Sequence, residues 1–258
     1  MSPLSILAVR FLLAFLILAA VFRGKLLRCS FKSLRGGMIL GALYFVCMVF
    51  EMFGLRLIDT GVSALIENMA IVLVPLLAAL LTRTLPRRKT MFCAMLAVVG
   101  VGFLSLTQGE RSGGGLGIIL AVLAAVTYAF CILATGKVSR DADPITVGMV
   151  QLGVMGALSL AAALVTRSAD VPRTGGQWLM MLLLVLLCSC FGFAFQPLGQ
   201  KYLPAEVAAV LTVVNPFTAS VMGIVIAGES MSAFKLIGYV LILTALAVYS
   251  VKTENGES

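Results

Sequence analysis

The sequence predicts an all-α fold, a polytopic membrane helix bundle of about nine spans. Of 258 residues, 61% are hydrophobic and 12% are charged, and the mean hydropathy is +1.10. Such a chain has too little polar surface to cover a water-soluble globule. Its apolar runs are about 17–23 residues long, the length an α-helix needs to cross about 30 Å of hydrocarbon. They show no alternation of apolar and polar residues, which excludes a β-barrel.

Nine segments have this length and composition. They are residues 3–22, 36–57, 61–82, 91–107, 116–136, 145–165, 177–197, 205–227 and 234–251. We expect the first to be a permanent span, because it is too long for a signal peptide and a basic loop follows it rather than precedes it. Short loops join the segments, so no soluble domain is predicted.

The loop charges predict the orientation. The basic residues cluster in the loops after the first, third, fifth, seventh and ninth spans: Arg23, Lys25, Arg28, Lys32, Arg35, Arg83, Arg87, Arg88, Lys89, Lys137, Arg140, Lys201 and Lys252. The alternate loops hold only Arg56, Arg111, Arg167, Arg173 and Lys235. By the positive-inside rule the C-terminus is cytoplasmic and the N-terminus lies outside the cell membrane. This explains the net charge of +8 without a nucleic-acid partner; the expected partners are membrane lipids and a small-molecule substrate.

The residue types restrict the chemistry. Histidine is absent, which leaves carboxylates as the candidate proton carriers near neutral pH. The six cysteines lie in predicted spans or on the basic side, so we expect free thiols rather than a disulfide framework. The glycine-rich stretch at 109–117 follows no strand and is not a phosphate cradle. The sequence thus predicts no cofactor, no metal site and no enzymatic activity.

The chain contains an internal repeat. A displacement of 141 residues places Pro3 on Pro144 and Pro75 on Pro216, with matching spans in between. Because the displacement carries an odd number of spans, the two halves are expected to cross the membrane in opposite directions, as in the inverted repeats of secondary transporters.

The repeat defines the predicted domains. Residues 1–107 form an incomplete first repeat, 116–251 form the second, inverted repeat, and 252–258 form a cytoplasmic tail. The span at 116–136, which opens the second half, has no counterpart in the first.

Three segments carry a resemblance to a known family. They are "AVRFLLAFLIL" in the first span, "TGVSALIENMAIVLVPLLAALL" before "RRK", and "PAEVAAVLTVVNPFTASVMGIVIAGESMS" in the second half. The chain resembles the EamA-type transporters of the drug/metabolite transporter superfamily. The resemblance implies ten helices in two inverted five-helix repeats, with the first family helix absent here, and efflux of amino acids, related metabolites or drug-like amines. Glu67 and Asn68 depart from the small apolar or hydroxyl residues that are more usual there.

Three charges fall inside predicted spans. Arg10 lies about 10 Å below the outer boundary at about 1.5 Å per residue, and Glu51 and Glu67 fall in the same layer. Intramembrane charges usually face a cavity and pair with one another. We therefore expect Arg10 to be the counter-charge of Glu51, Glu67 or an anionic substrate group, and the remaining carboxylate to bind a cation or proton. The alternatives are that Arg10 extends to the head groups, that the helix of Glu51 ends early, and that Glu67 belongs to a polar first turn.

Uncharged polar residues complete the candidate set for substrate or ion binding. They are Tyr44, Asn68, Tyr128, Gln151, Gln196 and Asn215. The repeat aligns Gln151 with Arg10. Each of these side chains could instead join helices by hydrogen bonds. Pro75, Pro197 and Pro216 are candidate helix breaks, which transporters use for bending or ligand contact, or else packing kinks.

These observations together predict a secondary transporter, an exporter of small polar metabolites such as amino acids or amine-containing compounds. Alternating access around a central cavity is the expected mechanism, and protons are the candidate coupling ion. A transport-inactive membrane scaffold is one alternative. A lipid-acting membrane enzyme is another, disfavoured because the chain lacks histidine, clustered aspartates and metal-ligand spacing.

Overall fold

The computed structural model describes residues 1–83, 88–108, 114–202 and 232–250, and within these ranges it is helical and contains no strand. The elements are α1 (Pro3–Val21), α2 (Arg23–Leu27), α3 (Phe31–Gly54), α4 (Thr60–Glu67), α5 (Ala70–Leu81), α6 (Arg88–Gln108), α7 (Gly114–Asp141), α8 (Pro144–Val165), α9 (Gly175–Leu183), the π-helix π1 (Leu184–Phe193), α10 (Ala194–Tyr202) and α11 (Ala233–Ser250).

The all-α, multi-span prediction is confirmed. Six described stretches are long and apolar enough to cross a membrane: Pro3–Val21, Phe31–Gly54, Thr60–Leu81, Gly114–Asp141, Pro144–Val165 and Gly175–Tyr202. Two shorter apolar helices, Met91–Phe103 and Ala233–Ala245, lie within the predicted fourth and ninth spans. The predicted span 205–227 and the tail 252–258 lie outside the described residues.

The chain forms two compact units. Unit 1 comprises Met1–Val49 and Ala134–Pro204, and unit 2 comprises Phe50–Leu133 and Ala205–Ser258. Each unit takes segments from both halves of the sequence, so the units do not coincide with the predicted repeats. The division of the sequence into two repeats remains a prediction.

In unit 1, α1 and α8 pack antiparallel. A Cβ on Gly156 would come within 2.8 Å of Leu12, and a Cβ on Gly153 within 3.1 Å of the Phe15 ring. As the residue number rises along α1, the number of the contacted glycine falls along α8. A displacement of 141 residues places Leu12 on Gly153 and Phe15 on Gly156. The repeat alignment therefore converts each of these two contacts into the other. A two-fold relation between the helices produces such reciprocal contacts.

The starts of α1 and α8 are also equivalent. Ser2 Oγ accepts a hydrogen bond from the Ser5 amide at 3.1 Å, and Asp143 Oδ2 accepts one from the Thr146 amide at 3.1 Å. A proline follows each cap at the first position of the helix, where its missing N–H costs no helical bond. Both helices therefore begin with a side-chain cap followed by proline, and the inverted repeat remains a prediction.

Two glycines bring α3 against α8. A Cβ on Gly37 would lie 2.6 Å from Val150, and one on Gly41 would lie 2.6 Å from Val154. The numbers rise together, so the two helices run parallel here. In lipid, helices associate through close packing, and a GxxxG spacing such as "GMILG" permits it. This helix contact was not among the features predicted from the sequence.

Unit 2 has its own apolar core, built from α4, α5, α6, α7 and α11. At its edge, a Cβ on Gly100 would lie 3.1 Å from the Gly238 carbonyl oxygen. Phe103 stacks on Phe234 with ring centroids 6.3 Å apart. Higher numbers on α6 meet lower numbers on α11, so this pair is antiparallel, like α1 and α8.

Candidate functional site

Arg10 is buried in unit 1, with 8% of its surface exposed. Its Nε donates a hydrogen bond to Ser189 Oγ at 2.7 Å. Its guanidinium carbon lies 5.0 Å from the centroid of the Phe11 ring and 5.6 Å from that of Phe193. The side chain therefore points into the bundle and does not extend toward head groups. Ring faces stabilise a desolvated cation by about 2 kcal/mol or more.

Aromatic side chains surround this guanidinium. The Phe193 ring meets Phe11 edge-on at 5.7 Å and Tyr44 at 5.6 Å. Tyr44 is fully buried, and its hydroxyl lies 3.4 Å from Thr135 Oγ1. We call Arg10, Phe11, Tyr44, Ser189 and Phe193 the Arg10 site. Of these five, Arg10 and Tyr44 were predicted from the sequence.

The Arg10 site includes part of the π-helix. Ser189 Oγ accepts from Arg10 and also lies 3.3 Å from the Leu184 carbonyl oxygen, to which it donates. The π-helix ends at Phe193, whose carbonyl would accept an α-helical bond from residue 197. Pro197 has no N–H to donate to this carbonyl, so one regular α-helical bond is missing where the π-helix meets α10. Pro197 itself lies inside α10, so the predicted interruption precedes the proline. Single π turns often occur at functional sites.

Gln151 lies on α8 and is fully buried. Neither its amide nitrogen nor its amide oxygen has a hydrogen-bond partner among the described residues. Burying an unsatisfied polar group costs about 1–3 kcal/mol, so an orphaned amide needs an explanation such as a ligand or water. Gln196 is half-buried in α10, whereas Asn215 and Pro216 lie outside the described residues.

The carboxylate candidates belong to unit 2. Glu51 is half-buried near the end of α3, and Glu67 is half-buried as the last residue of α4. The alternative that placed Glu67 in a first turn is therefore wrong. The expected pairing of Arg10 with Glu51 or Glu67 joins residues of different units and remains a prediction.

Asn68 and Tyr128 are the other predicted residues of unit 2. Asn68 is buried at the end of α4, and its Nδ2 donates to the Ala64 carbonyl at 2.8 Å. The third span is thus interrupted at Asn68 and Met69, and Pro75 lies inside α5. Tyr128 is half-buried against the apolar core.

Unit 2 contains a buried ion pair that was not predicted from the sequence. Lys235 Nζ lies 2.8 Å from Asp59 Oδ2, and both residues are buried. Asp59 occupies the cap position of α4 but makes no capping bond with its side chain. Lys235 was predicted to be a loop residue, but it lies in the first turn of α11. No local pattern shows this pair, because its members are far apart in the chain.

The described residues contain no group of three or more His, Cys, Asp or Glu that could hold a metal ion. The six cysteines are free, as expected. The Arg10 site contains a cation that is hydrogen-bonded to a hydroxyl and flanked by aromatic rings, inside an apolar helix bundle. This arrangement defines the class: an integral membrane protein with a polar site among its spans, as transporters have.

The comparisons with known proteins agree with this class. The pattern of the EamA-like transporter family matches residues 1–106 and 115–251. The chain belongs to the EamA-like transporter family, which is consistent with the drug/metabolite transporter superfamily.

Two relatives come from Archaeoglobus fulgidus, and each is named an uncharacterized transporter. One is 24% identical over 190 residues, 74% of this chain and 67% of the relative. The other is 24% identical over 257 residues, 98% of this chain and 78% of the relative. A solved crystal structure is 20% identical with a TM-score of 0.70, covering 100% of this chain and 90% of that one; at this identity the likeness shows the fold.

Proposed function

We propose that the chain is a secondary transporter that exports small polar metabolites, such as amino acids or amine-containing compounds. Transport occurs by alternating access, in which two inverted bundles rock around a central cavity. Family membership supports transport, and the matched antiparallel pairs α1 with α8 and α6 with α11 support the inverted plan.

The buried guanidinium of Arg10 is the observation that carries the substrate class. Arginine stays charged at all physiological pH values, and its planar fork matches a carboxylate. The Ser189 hydroxyl and the rings of Phe11 and Phe193 fix the plane of this fork. In the proposal, the guanidinium binds the carboxylate of an amino acid. A polyanionic substrate such as a sugar phosphate would require several basic residues in the same place.

The second part of the proposal concerns coupling. Glu51 and Glu67 are half-buried carboxylates in a chain without histidine. Carboxylates inside membrane spans form the proton relays of pumps and transporters. We propose Glu51 or Glu67 as the proton carrier, with the other near the substrate path.

Flux through the purified protein in liposomes tests the substrate class. Counterflow of a panel of labelled amino acids and amines should show saturable uptake. Arg10→Gln should abolish uptake of carboxylate-bearing substrates, and Arg10→Lys should raise KM about tenfold, because the bidentate fork is lost. Arg173→Gln, which removes an exposed side chain, is the matched control. Unchanged KM in a folded Arg10→Gln variant would contradict the proposal.

A proton gradient tests the coupling. Uptake that follows an imposed pH difference should lose this dependence in either Glu51→Gln or Glu67→Gln while counterflow persists. If no compound on the panel is transported, the scaffold alternative is favoured, and lipid turnover without flux would favour a membrane enzyme.

A further inference from the structure

Unit 1 has an open cavity of about 630 Å³ at the end of the helices that the loop charges predict to be cytoplasmic. It lies where α1 ends and where α3 and α8 begin. Its polar lining includes Lys25, Arg28, Ser30, Ser33 and Asp143. None of these residues belongs to the Arg10 site.

The charges of the lining favour an anion. Lys25 Nζ lies 3.2 and 3.5 Å from the two carboxylate oxygens of Asp143, so these two charges offset each other. The guanidinium of Arg28 has no hydrogen bond or ion pair with any described residue, and the residue is exposed. The guanidinium of Arg28 therefore gives the cavity its net positive charge.

Two helix starts add to this field. Ser30 Oγ accepts from the Ser33 amide at 3.1 Å, which caps α3, and Ser33 Oγ accepts from the Asp143 amide at 3.2 Å. The amino ends of α3 and α8 are thus tied together at the cavity. The positive ends of helix dipoles and serine hydroxyls both favour a phosphate group.

Val21 and Phe22 line the cavity together with the charged residues, and Leu27 and Phe31 are sequence neighbours of the lining residues Arg28 and Ser30. Val21, Leu27 and Phe31 are 67%, 81% and 77% exposed, and each lines the cavity or lies within one residue of a lining residue. Three large apolar side chains so exposed at the end of a span fit acyl chains rather than water. A free phosphate ion would make no use of them.

We propose that this cavity binds an anionic phospholipid, with its phosphate at Arg28 and Lys25 and its acyl chains along Val21, Leu27 and Phe31. Basic pockets between helices on the cytoplasmic side are suited to such head groups. The lipid holds α2 against the starts of α3 and α8 and thereby fixes the cytoplasmic end of unit 1. This inference does not depend on the transported substrate.

Native mass spectrometry and thermal unfolding of the full chain in detergent test the proposal. Phosphatidylglycerol should remain bound and raise Tm, whereas phosphatidylcholine and inorganic phosphate should do neither. Arg28→Gln should weaken phosphatidylglycerol binding about fivefold, the effect of one basic contact at a membrane surface. Lys32→Gln, which changes an exposed neighbour outside the lining, is the matched control and should leave binding unchanged.

A second variant distinguishes a specific loss of lipid binding from misfolding. Asp143→Asn keeps a capping side chain of equal quality but frees Lys25, so phosphatidylglycerol should bind more tightly than to the wild type. Equal binding of phosphatidylglycerol to the wild type, Arg28→Gln and Asp143→Asn would overturn the proposal. An equal response to inorganic phosphate would also overturn it, since the site would then recognise phosphate without the lipid.

Discussion

Lys235 and Asp59 form an ion pair in the interior of unit 2, with Nζ 2.8 Å from Oδ2 and side-chain exposures of 2% and 7%. The pair connects the first turn of α11 to the start of α4. The Lys235 ammonium also lies 6.0 Å from the centroid of the Tyr239 ring, one turn further along α11. Removing two such charges from water costs several kcal/mol per ion, which only good geometry and further contacts can repay.

Replacing one member of this pair should destabilise the fold strongly. We expect Asp59→Leu or Lys235→Met to lower the free energy of unfolding by about 3–5 kcal/mol, because each removes the opposite charge from a buried ion pair. The double variant should recover most of this loss, since no charge is then left buried. Thermal unfolding of the purified protein in detergent measures all three.

The exposed pair Arg173–Asp170 supplies the control. Its atoms are 3.2 Å apart, but the Arg173 side chain is 80% exposed. Surface pairs contribute about 0–1 kcal/mol, so Arg173→Gln should shift Tm little. If the double variant at Lys235 and Asp59 is no more stable than the single variants, loss of the ion pair does not explain their destabilisation.

The contact of α3 with α8 depends on the missing side chain of Gly37. An alanine Cβ there would lie 2.6 Å from Val150 and 2.9 Å from the Val147 carbonyl oxygen. Since backbone cannot move aside cheaply, Gly37→Ala should destabilise by about 1–3 kcal/mol. Gly136→Ala in α7 is the control, because nothing lies within 4 Å of its added methyl group. That control should be more stable than the wild type by about 0.5–1 kcal/mol, because alanine favours a helix more than glycine does. In an unfolding experiment, Gly37→Ala should lower the free energy of unfolding and Gly136→Ala should raise it.

Asp143 should make the start of α8 sensitive to acid. Burial alone would raise the pKa of Asp143, but hydrogen bonds from Thr146 and the charge of Lys25 outweigh it and hold the pKa below the ordinary 3.8. A lowered folded pKa stabilises the fold above the unfolded pKa, and this stabilisation is lost as pH falls through the folded pKa. Asp143→Ala should therefore cost about 1 kcal/mol near neutral pH, as the loss of a cap does.

The same variant measured in acid separates the charge from the cap. The stability difference between the wild type and Asp143→Ala should shrink as pH falls below 3.8, because the wild-type carboxylate is then protonated. The asparagine of Asp143→Asn does not titrate, so the stability of this variant should lack the pH dependence that the Asp143 carboxylate contributes. A difference that stays constant down to that pH would mean that the carboxylate charge contributes nothing.

The sequence predicts the spans well, because the hydrocarbon thickness sets a length that composition reveals locally. The segment 3–22 was expected and Pro3–Val21 is observed, and 145–165 was expected where Pro144–Val165 is observed. The caps at Ser2 and Asp143 are likewise local signals. Fold class and family therefore follow from short-range information.

The site is less predictable, since its contacts join distant segments. Arg10 was conspicuous because a charge in a span is costly, but its partner Ser189 is one hydroxyl in the apolar run "LLCSCFGF" and has no distinguishing mark. Lys235 was counted as a loop charge because nothing beside it in the sequence reveals Asp59. The irregular backbone around Ser189 depends on Pro197 and on tertiary contacts. The proline alone therefore predicted a helix break a few residues away from the observed one.

Gln151 offers a test that separates binding from folding. Because both polar atoms of its fully buried side chain have no partner in the described part of the chain, replacing it with an apolar residue of similar shape removes a cost of about 1–3 kcal/mol. Gln151→Met should therefore raise Tm in detergent and yet reduce saturable uptake in liposomes, since the sequence predicts that this amide binds substrate or an ion. Ser159→Ala is the control on the same helix: its hydroxyl donates to the Met155 carbonyl at 2.7 Å, so its loss should leave uptake nearly unchanged. A Gln151→Met protein that is less stable, with uptake reduced only in proportion to its folded fraction, would assign the amide a structural role and remove Gln151 from the candidate binding residues.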